Sequence, residues 1–245
     1  MTSKQLCIEF VGLPGSGKTT ISRMVKSRLV SDSLSVVDRI DIANWVDSFG
    51  YAKKVFLLSR EWRCTYPLLW ETMSYVCAIA PVNIERIQRG VRIPMNYIYL
   101  SEFKRADTFD ICLLDEWILH KIWTVGTMGA QIPHMDQVLR SAVGGGVGGY
   151  VYVDIDVQEA ARRLVNRSQQ RIIPVLRKLS ERKKRASVRT DINWMKSMLE
   201  RHRCMMEQVR ECVAISNVPV LFLNGEEQLD ENVQRIVEWL HSEEF

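Results

Sequence analysis

The stretch from Glu9 to Thr20, EFVGLPGSGKTT, places three glycines, a lysine and two adjacent threonines at a spacing suited to holding a polyphosphate. Gly12 is followed by four residues and then Gly17, Lys18 and Thr19, the G-x-x-x-x-G-K-[ST] interval of a phosphate loop. The glycines at 12, 15 and 17 let the backbone curl so that its N–H groups converge on an anion, with Pro14, Ser16 and Thr20 completing the loop. Lys18 would put a mobile positive charge on the β- and γ-phosphates, and the Thr19 hydroxyl would ligate Mg²⁺. A helix beginning here would add the partial positive charge of its N-terminus.

A second group of candidates is carboxylate. Phe109-Asp110-Ile111-Cys112-Leu113-Leu114 ends in Asp115-Glu116, an apolar strand delivering acid at its carboxyl end. That pattern, far downstream of a phosphate loop, would bring Asp115 to the metal's shell. Glu116 is read as metal ligand or base. Asp38 and Asp41 follow another short apolar run, Leu34-Ser35-Val36-Val37. Phosphoryl transfer to a hydroxyl would need a carboxylate to orient or deprotonate it, and Glu116, Asp38 and Asp41 are the candidates. The competing reading for Asp38 and Asp41 is helix capping, or charge balance with Arg39.

The elements that must position these residues alternate regularly. Leu6-Cys7-Ile8-Glu9-Phe10-Val11 suits a buried parallel strand, and Ile21, Met24, Val25, Arg28 and Leu29 recur at helical spacing after the loop. Residues from about 42 to 104 read as helical, punctuated by Gly50, Pro67, Pro81 and Pro94. This region is dense in aromatics (Trp45, Phe49, Tyr51, Phe56, Trp62, Tyr66, Trp70, Tyr75), which suits helix packing and makes it the expected wall of an acceptor pocket. Two short helices broken near Gly126 and Gly129 follow the third strand, and the tract at 144–149 reads as a mobile connection. A fourth strand at 150–155 leads into a helix, a further helix resumes near Asp191, and Val218-Pro219-Val220-Leu221-Phe222-Leu223 forms the last strand before Asn224-Gly225. Strands alternating with helices predict an α/β fold with a parallel sheet of about five strands and helices on both faces. Ligands in such sheets lie at the strands' carboxyl ends, where the glycine loop, Asp38 or Asp41, Asp115-Glu116 and Asn224-Gly225 all fall.

Composition sets the remaining limits. The 245 residues, 47% hydrophobic and 25% charged, suit one globular domain. The net charge of +4 conceals a concentration: residues 160–189 hold eleven Lys or Arg against one acid, Glu181. The six cysteines (Cys7, Cys64, Cys77, Cys112, Cys204, Cys212) and four histidines (His120, His134, His202, His241) show no metal spacing. Scattered cysteines without a framework suit a reducing compartment. The first strand starts almost at once, without room for a signal peptide, and the most apolar stretch, 66–82, is too short to span a bilayer. A cytoplasmic location without membrane partners is expected.

The chain resembles the nucleoside and nucleotide kinases of the P-loop NTPase fold, most nearly the thymidylate-kinase and deoxynucleoside-kinase-like branch. The likeness lies in FVGLPGSGKTT at 10–20, LLDEW at 113–117, YVDIDVQEAARRLVNR at 152–167 and VLFLNG at 220–225. It implies a single kinase domain spanning 1–245, ATP and Mg²⁺ as cofactors, a helical acceptor-binding insertion at about 42–104 and an arginine-rich lid at about 162–190. Arg163 and Arg167 would lie at the lid's base against the adenine or phosphates, while Arg171 and Arg162 would reach the transferred phosphoryl group. Asn224 and Gly225, with Glu226, would hold the adenine edge, Asp38 would face the acceptor, and a homodimer would form through helices. One departure stands out: Asp115-Glu116-Trp117 lacks the arginine that such kinases carry after the third strand to grip an anionic group. Arg60 or Arg63 is the expected substitute. The alternative, from a different class, is a nucleic-acid-associated P-loop ATPase that uses residues 160–189 as its electrostatic footprint.

Overall fold

The computed structural model describes residues 5–79, 84–106, 108–127, 135–176 and 192–242. Along the chain run β1 (Leu6–Val11), α1 (Lys18–Ser31), β2 (Val36–Asp38), α2 (Arg39–Asp47), α3 (Tyr51–Ala78) and α4 (Ile84–Arg105). There follow β3 (Ile111–Asp115), α5 (Ile118–Thr127), α6 (Asp136–Ala142), β4 (Gly149–Asp154), α7 (Val157–Leu176), α8 (Ile192–Ala214), β5 (Val220–Asn224) and α9 (Leu229–His241). The five strands form one parallel sheet in the order β2-β3-β1-β4-β5.

Why the sheet is covered on both faces is visible in its alternating side chains. From β1, Cys7 and Val11 enter one apolar cluster with Cys112, Leu114, Tyr150 and Tyr152, whereas Ile8 and Phe10 enter the other with Leu113, Val151 and Val153. The second cluster is closed by Ile21, Val25 and Leu29 of α1 and by Val233, Ile236 and Val237 of α9. The first and larger cluster takes its cover from α2 to α8, including Met195, Leu199, Met205, Met206 and Val209 of α8. Period-two strands sandwiched between helices of period 3.6 leave both faces of β1, β3 and β4 dry.

Three local expectations are revised. Pro67 and Pro94 lie inside α3 and α4 rather than ending them; packing of long helices against the core outweighs the lost hydrogen bond at each proline. The tract at 144–149 is a packed turn, not a loose connection. The Tyr150 hydroxyl accepts from the Gly144 amide at 3.2 Å, Gly148 N–H donates to the Cys7 carbonyl at 2.8 Å, and Gly145 sits against the Tyr97 ring. The aromatic stripe of α3 also divides. Tyr75 is buried, with its hydroxyl donating to the Ile122 carbonyl at 3.3 Å, whereas Phe56, Tyr66 and Trp70 are exposed. No described helix is long and apolar enough to cross a membrane.

Candidate functional site

The carboxyl ends of β1, β3, β4 and β5 meet along one edge, and the glycine loop lies there between β1 and α1. Its conformation depends on glycine. Gly12 and Gly15 have φ of 144° and 88°, the left-handed region that L side chains avoid. A Cβ on Gly12 would collide with the Val153 carbonyl, and one on Gly15 would lie 2.8 Å from the Ala160 carbonyl. The loop is thus pressed against β4 and α7, and Gly17 caps α1 without a side-chain hydrogen bond. The uncapped N–H groups at that helix start favour an anion.

Lys18 is buried, and its ammonium donates to the carbonyls of Gly12 at 2.7 Å and Leu13 at 2.8 Å. Burial pushes its pKa down to about 8, against the opposing pull of Glu116 and Asp115. Thr19 Oγ1 donates to Asp115 Oδ2 at 3.0 Å across 96 residues of sequence. Arg39 ties the two acids together, with Nε 3.7 Å from Asp115 Oδ1 and Nη1 3.2 Å from Glu116 Oε2. Glu116 adopts φ of 57°, an uncommon backbone for a non-glycine residue.

A cavity of about 520 Å³ brings the loop and the arginines together. Its lining includes Gly15, Ser16, Gly17, Thr19, Thr20, Arg163, Arg167 and Gly225. Arg163 is held against this wall by two hydrogen bonds, Nη1 to the Gly225 carbonyl at 2.9 Å and Nε to Glu159 Oε1 at 2.7 Å. Gly225 donates to the Asp154 carbonyl at 2.6 Å, which fixes the turn after β5. Asn224 faces a different cavity with Asp154, Arg203 and Arg210, and its Oδ1 accepts from Glu226 N–H at 2.9 Å. Arg162 points outward, paired with Glu159. Arg171 lies in α7 with its side chain outside the described residues, as do residues 177–191 with Lys183, Lys184 and Arg185.

Asp38 is the N-cap of α2. Its Oδ1 accepts from Ile40 N–H at 2.7 Å and Asp41 N–H at 3.2 Å, while Asp41 Oδ2 accepts in return from Asp38 N–H at 2.8 Å. Such a reciprocal box is worth about 1 kcal/mol. The remaining Asp38 oxygen accepts from Lys26 at 2.7 Å. Burial pushes the Asp38 carboxyl up, but Lys26 and the two N–H donors outweigh it and hold the group below the usual carboxylate range. Asp38 and Asp41 are therefore balanced by Lys26, and Arg39 serves the acids of β3 instead. Both Asp38 oxygens are engaged in these hydrogen bonds, whereas at Glu116 Oε2 accepts from Arg39.

A second cavity, of about 320 Å³, opens beside Glu116 and is lined by Arg89, Arg92, His120, Lys121 and Thr124. Among the described residues none of the aromatics of 45–75 lines it. Arg60, the anticipated substitute, is instead paired with Glu61 and Glu102, and the Arg63 side chain lies outside the described residues. What positions this cavity is Glu9, a fully buried acid in the middle of β1. Its Oε1 accepts from Leu119 N–H at 2.9 Å and His120 N–H at 3.4 Å, clamping the start of α5 to the central strand. Burial outweighs these donors and pushes its pKa up to about 8. Burial likewise pushes His120 down to about 3, with Lys18, Lys121 and Arg39 adding to the effect, so its imidazole is neutral at physiological pH. An acid, Glu9, inside an apolar run was the available signal for this clamp; Arg89, Arg92 and Lys121 carry no local pattern.

Among the described residues no group of three or more His, Cys, Asp or Glu is placed to hold a metal ion. The donors at the loop are one hydroxyl and one carboxylate, Thr19 and Asp115, with Glu116 following Asp115. That sparse set of hard oxygens fits Mg²⁺, which keeps several waters and takes its other ligands from substrate phosphates. Comparison with known proteins finds no matching family model and no matching curated relative.

Proposed function

We propose that the chain is a Mg²⁺-dependent phosphotransferase of the P-loop NTPase fold, similar to the thymidylate-kinase and deoxynucleoside-kinase-like branch, which transfers the γ-phosphoryl group of ATP to a small-molecule acceptor. The observation that carries this reading is the cavity that Gly15, Ser16, Gly17, Thr19 and Thr20 share with Arg163, Arg167 and Gly225. It joins a phosphate cradle to a planar guanidinium wall at the carboxyl edge of a parallel sheet, where nucleotides bind in such folds. The volume of about 520 Å³ lies within the range of small-molecule sites.

In this reading Lys18 leaves the Gly12 and Leu13 carbonyls for the β/γ-phosphate oxygens, and the loop's N–H groups hold the same oxygens. Thr19 and Asp115 would hold Mg²⁺, which would supply charge neutralisation for the phosphates. Arg163 presents its guanidinium face to the adenine, and Arg167 reaches over the cavity mouth. Glu116, oriented by Arg39, faces the acceptor. An acceptor oxygen bonds to the γ-phosphorus as the bridging O–P bond breaks, the electron pair leaves on ADP, and a hydroxyl acceptor gives its proton to Glu116. The protein's share is positioning and electrostatics, as phosphoryl transfer requires. A cytoplasmic location follows from the same reading.

The test is ADP release from Mg·ATP, measured alone, with a panel of hydroxyl and phosphate acceptors, and with DNA or RNA. A small acceptor is expected to stimulate release by at least about 10²-fold, on the scale of gains from orienting a reactant. Stimulation by nucleic acid alone would replace this reading with that of a nucleic-acid-associated ATPase.

A further inference from the structure

The cavity at Glu116 gathers three positive side chains against one lining carboxylate, that of Glu116 itself. Arg89 and Arg92 descend from α4, Lys121 rises from α5, and Thr124 adds a hydroxyl, in a space of about 320 Å³. Arg89 has one partner, Glu85 at 2.7 Å, which is itself 61% exposed and so exerts a screened pull. Arg92 and Lys121 form no ion pair among the described residues. The neighbouring His120 is neutral and adds no counter-charge. Burial and the repulsion of Arg39 and Arg92 lower the Lys121 pKa, more than Glu116 and Glu9 restore it. Like charges gathered in a partly desolvated pocket cost free energy that an incoming anion returns.

We infer that the acceptor is a phosphate-bearing small molecule, and that Arg89, Arg92 and Lys121 grip its phosphate. The inference rests on the kinase reading and narrows its substrate class. Two guanidiniums one helical turn apart can present forked donors to a tetrahedral oxyanion, and the ammonium supplies a third, mobile charge. Among the described residues the His120 imidazole is the only ring that lines this cavity, so charge rather than stacking selects its occupant.

The test uses the full chain and isothermal titration calorimetry. Mg²⁺ with the non-hydrolysable ATP analogue AMP-PNP first fills the donor site, and inorganic phosphate is then titrated. Wild-type protein is expected to bind phosphate in the millimolar range, more weakly as salt is raised. Arg92→Gln is expected to weaken phosphate binding by at least about tenfold, the scale of one charge-assisted contact. Lys121→Gln, on a different helix, repeats the test should Arg92→Gln prove unfolded by circular dichroism. Acetate in place of phosphate is expected to bind at least about tenfold more weakly, having fewer acceptor oxygens for the two forks. Absent phosphate binding, undiminished binding in both variants, or equal binding of acetate would each overturn the inference. The donor site is read separately. If AMP-PNP fails to bind, the kinase reading falls; phosphate binding that Lys18→Ala removes and Arg92→Gln spares belongs to the glycine loop and overturns this assignment.

Discussion

Lys18→Ala is expected to reduce phosphoryl transfer at saturating Mg·ATP by about 10³-fold or more, the scale of losing a preorganised charge at a transferring phosphoryl group. The effect is large because this ammonium is buried and already aimed at the loop, 2.7 Å from the Gly12 carbonyl. Little solvent reorganisation is then needed when it turns to the phosphates. Folding should survive. The two carbonyls that lose their donor, those of Gly12 and Leu13, belong to a loop that opens on a cavity, where water can take the vacated position. Turnover measured beside a thermal melt separates the two effects. A variant that melts as the wild type does and keeps activity within about tenfold would remove Lys18 from the chemistry, since that ratio is worth only about 1.4 kcal/mol.

Asp115→Asn should lower turnover by about 10²-fold and raise the Mg²⁺ concentration for half-maximal activity by about tenfold, as expected when one anionic ligand becomes neutral. The substitution is nearly isosteric. The asparagine side-chain oxygen can still accept from Thr19 Oγ1, now 3.0 Å from Asp115 Oδ2, so the link between α1 and β3 remains. What changes is charge, both toward the metal and toward Arg39, whose Nε lies 3.7 Å from Asp115 Oδ1. A titration of activity against Mg²⁺ reads this directly. An unchanged magnesium curve would mean that Asp115 only holds Thr19 and Arg39 in place.

Local patterns in the chain disclosed those parts of the site that are built from contiguous residues. The glycine loop, the acid at the end of β3 and the arginines of α7 each sit in a segment whose periodicity and turn residues announce their own structure. The alternation that predicted a parallel sheet depends on burial of both faces, which short apolar runs record faithfully. Asp38 was legible as a candidate cap because aspartate is a favoured N-cap residue; the structure adds Asp41 as its reciprocal partner and Lys26 as the common cation.

On the reading proposed above, the acceptor side was hidden for a physical reason. Arg89, Arg92, Glu116 and Lys121 meet only because α4 and α5 cross beside β3, and a juxtaposition across tertiary packing leaves no trace in spacing. Aromatic density in α3 was a poor guide to that wall. Phe56 and Trp70 are 59% and 61% exposed, and neither lines the cavity at Glu116. Proline and glycine signals misled similarly at Pro67, Pro94 and 144–149, where tertiary contacts override local preference.

The most direct measurement is calorimetric titration of Mg·AMP-PNP into the protein at pH 8, in two buffers of different ionisation enthalpy. Free Lys18 has a pKa of about 8 because burial disfavours its charge; a polyphosphate beside it favours the charged form and raises that value. Binding at pH 8 is therefore expected to be saturable at one site and to take up about half a proton, with the uptake fading as the pH falls to about 6.5, where Lys18 is already protonated. Binding without proton uptake, or no binding at all, would contradict a polyphosphate seated against Lys18 in the loop of residues 12–19.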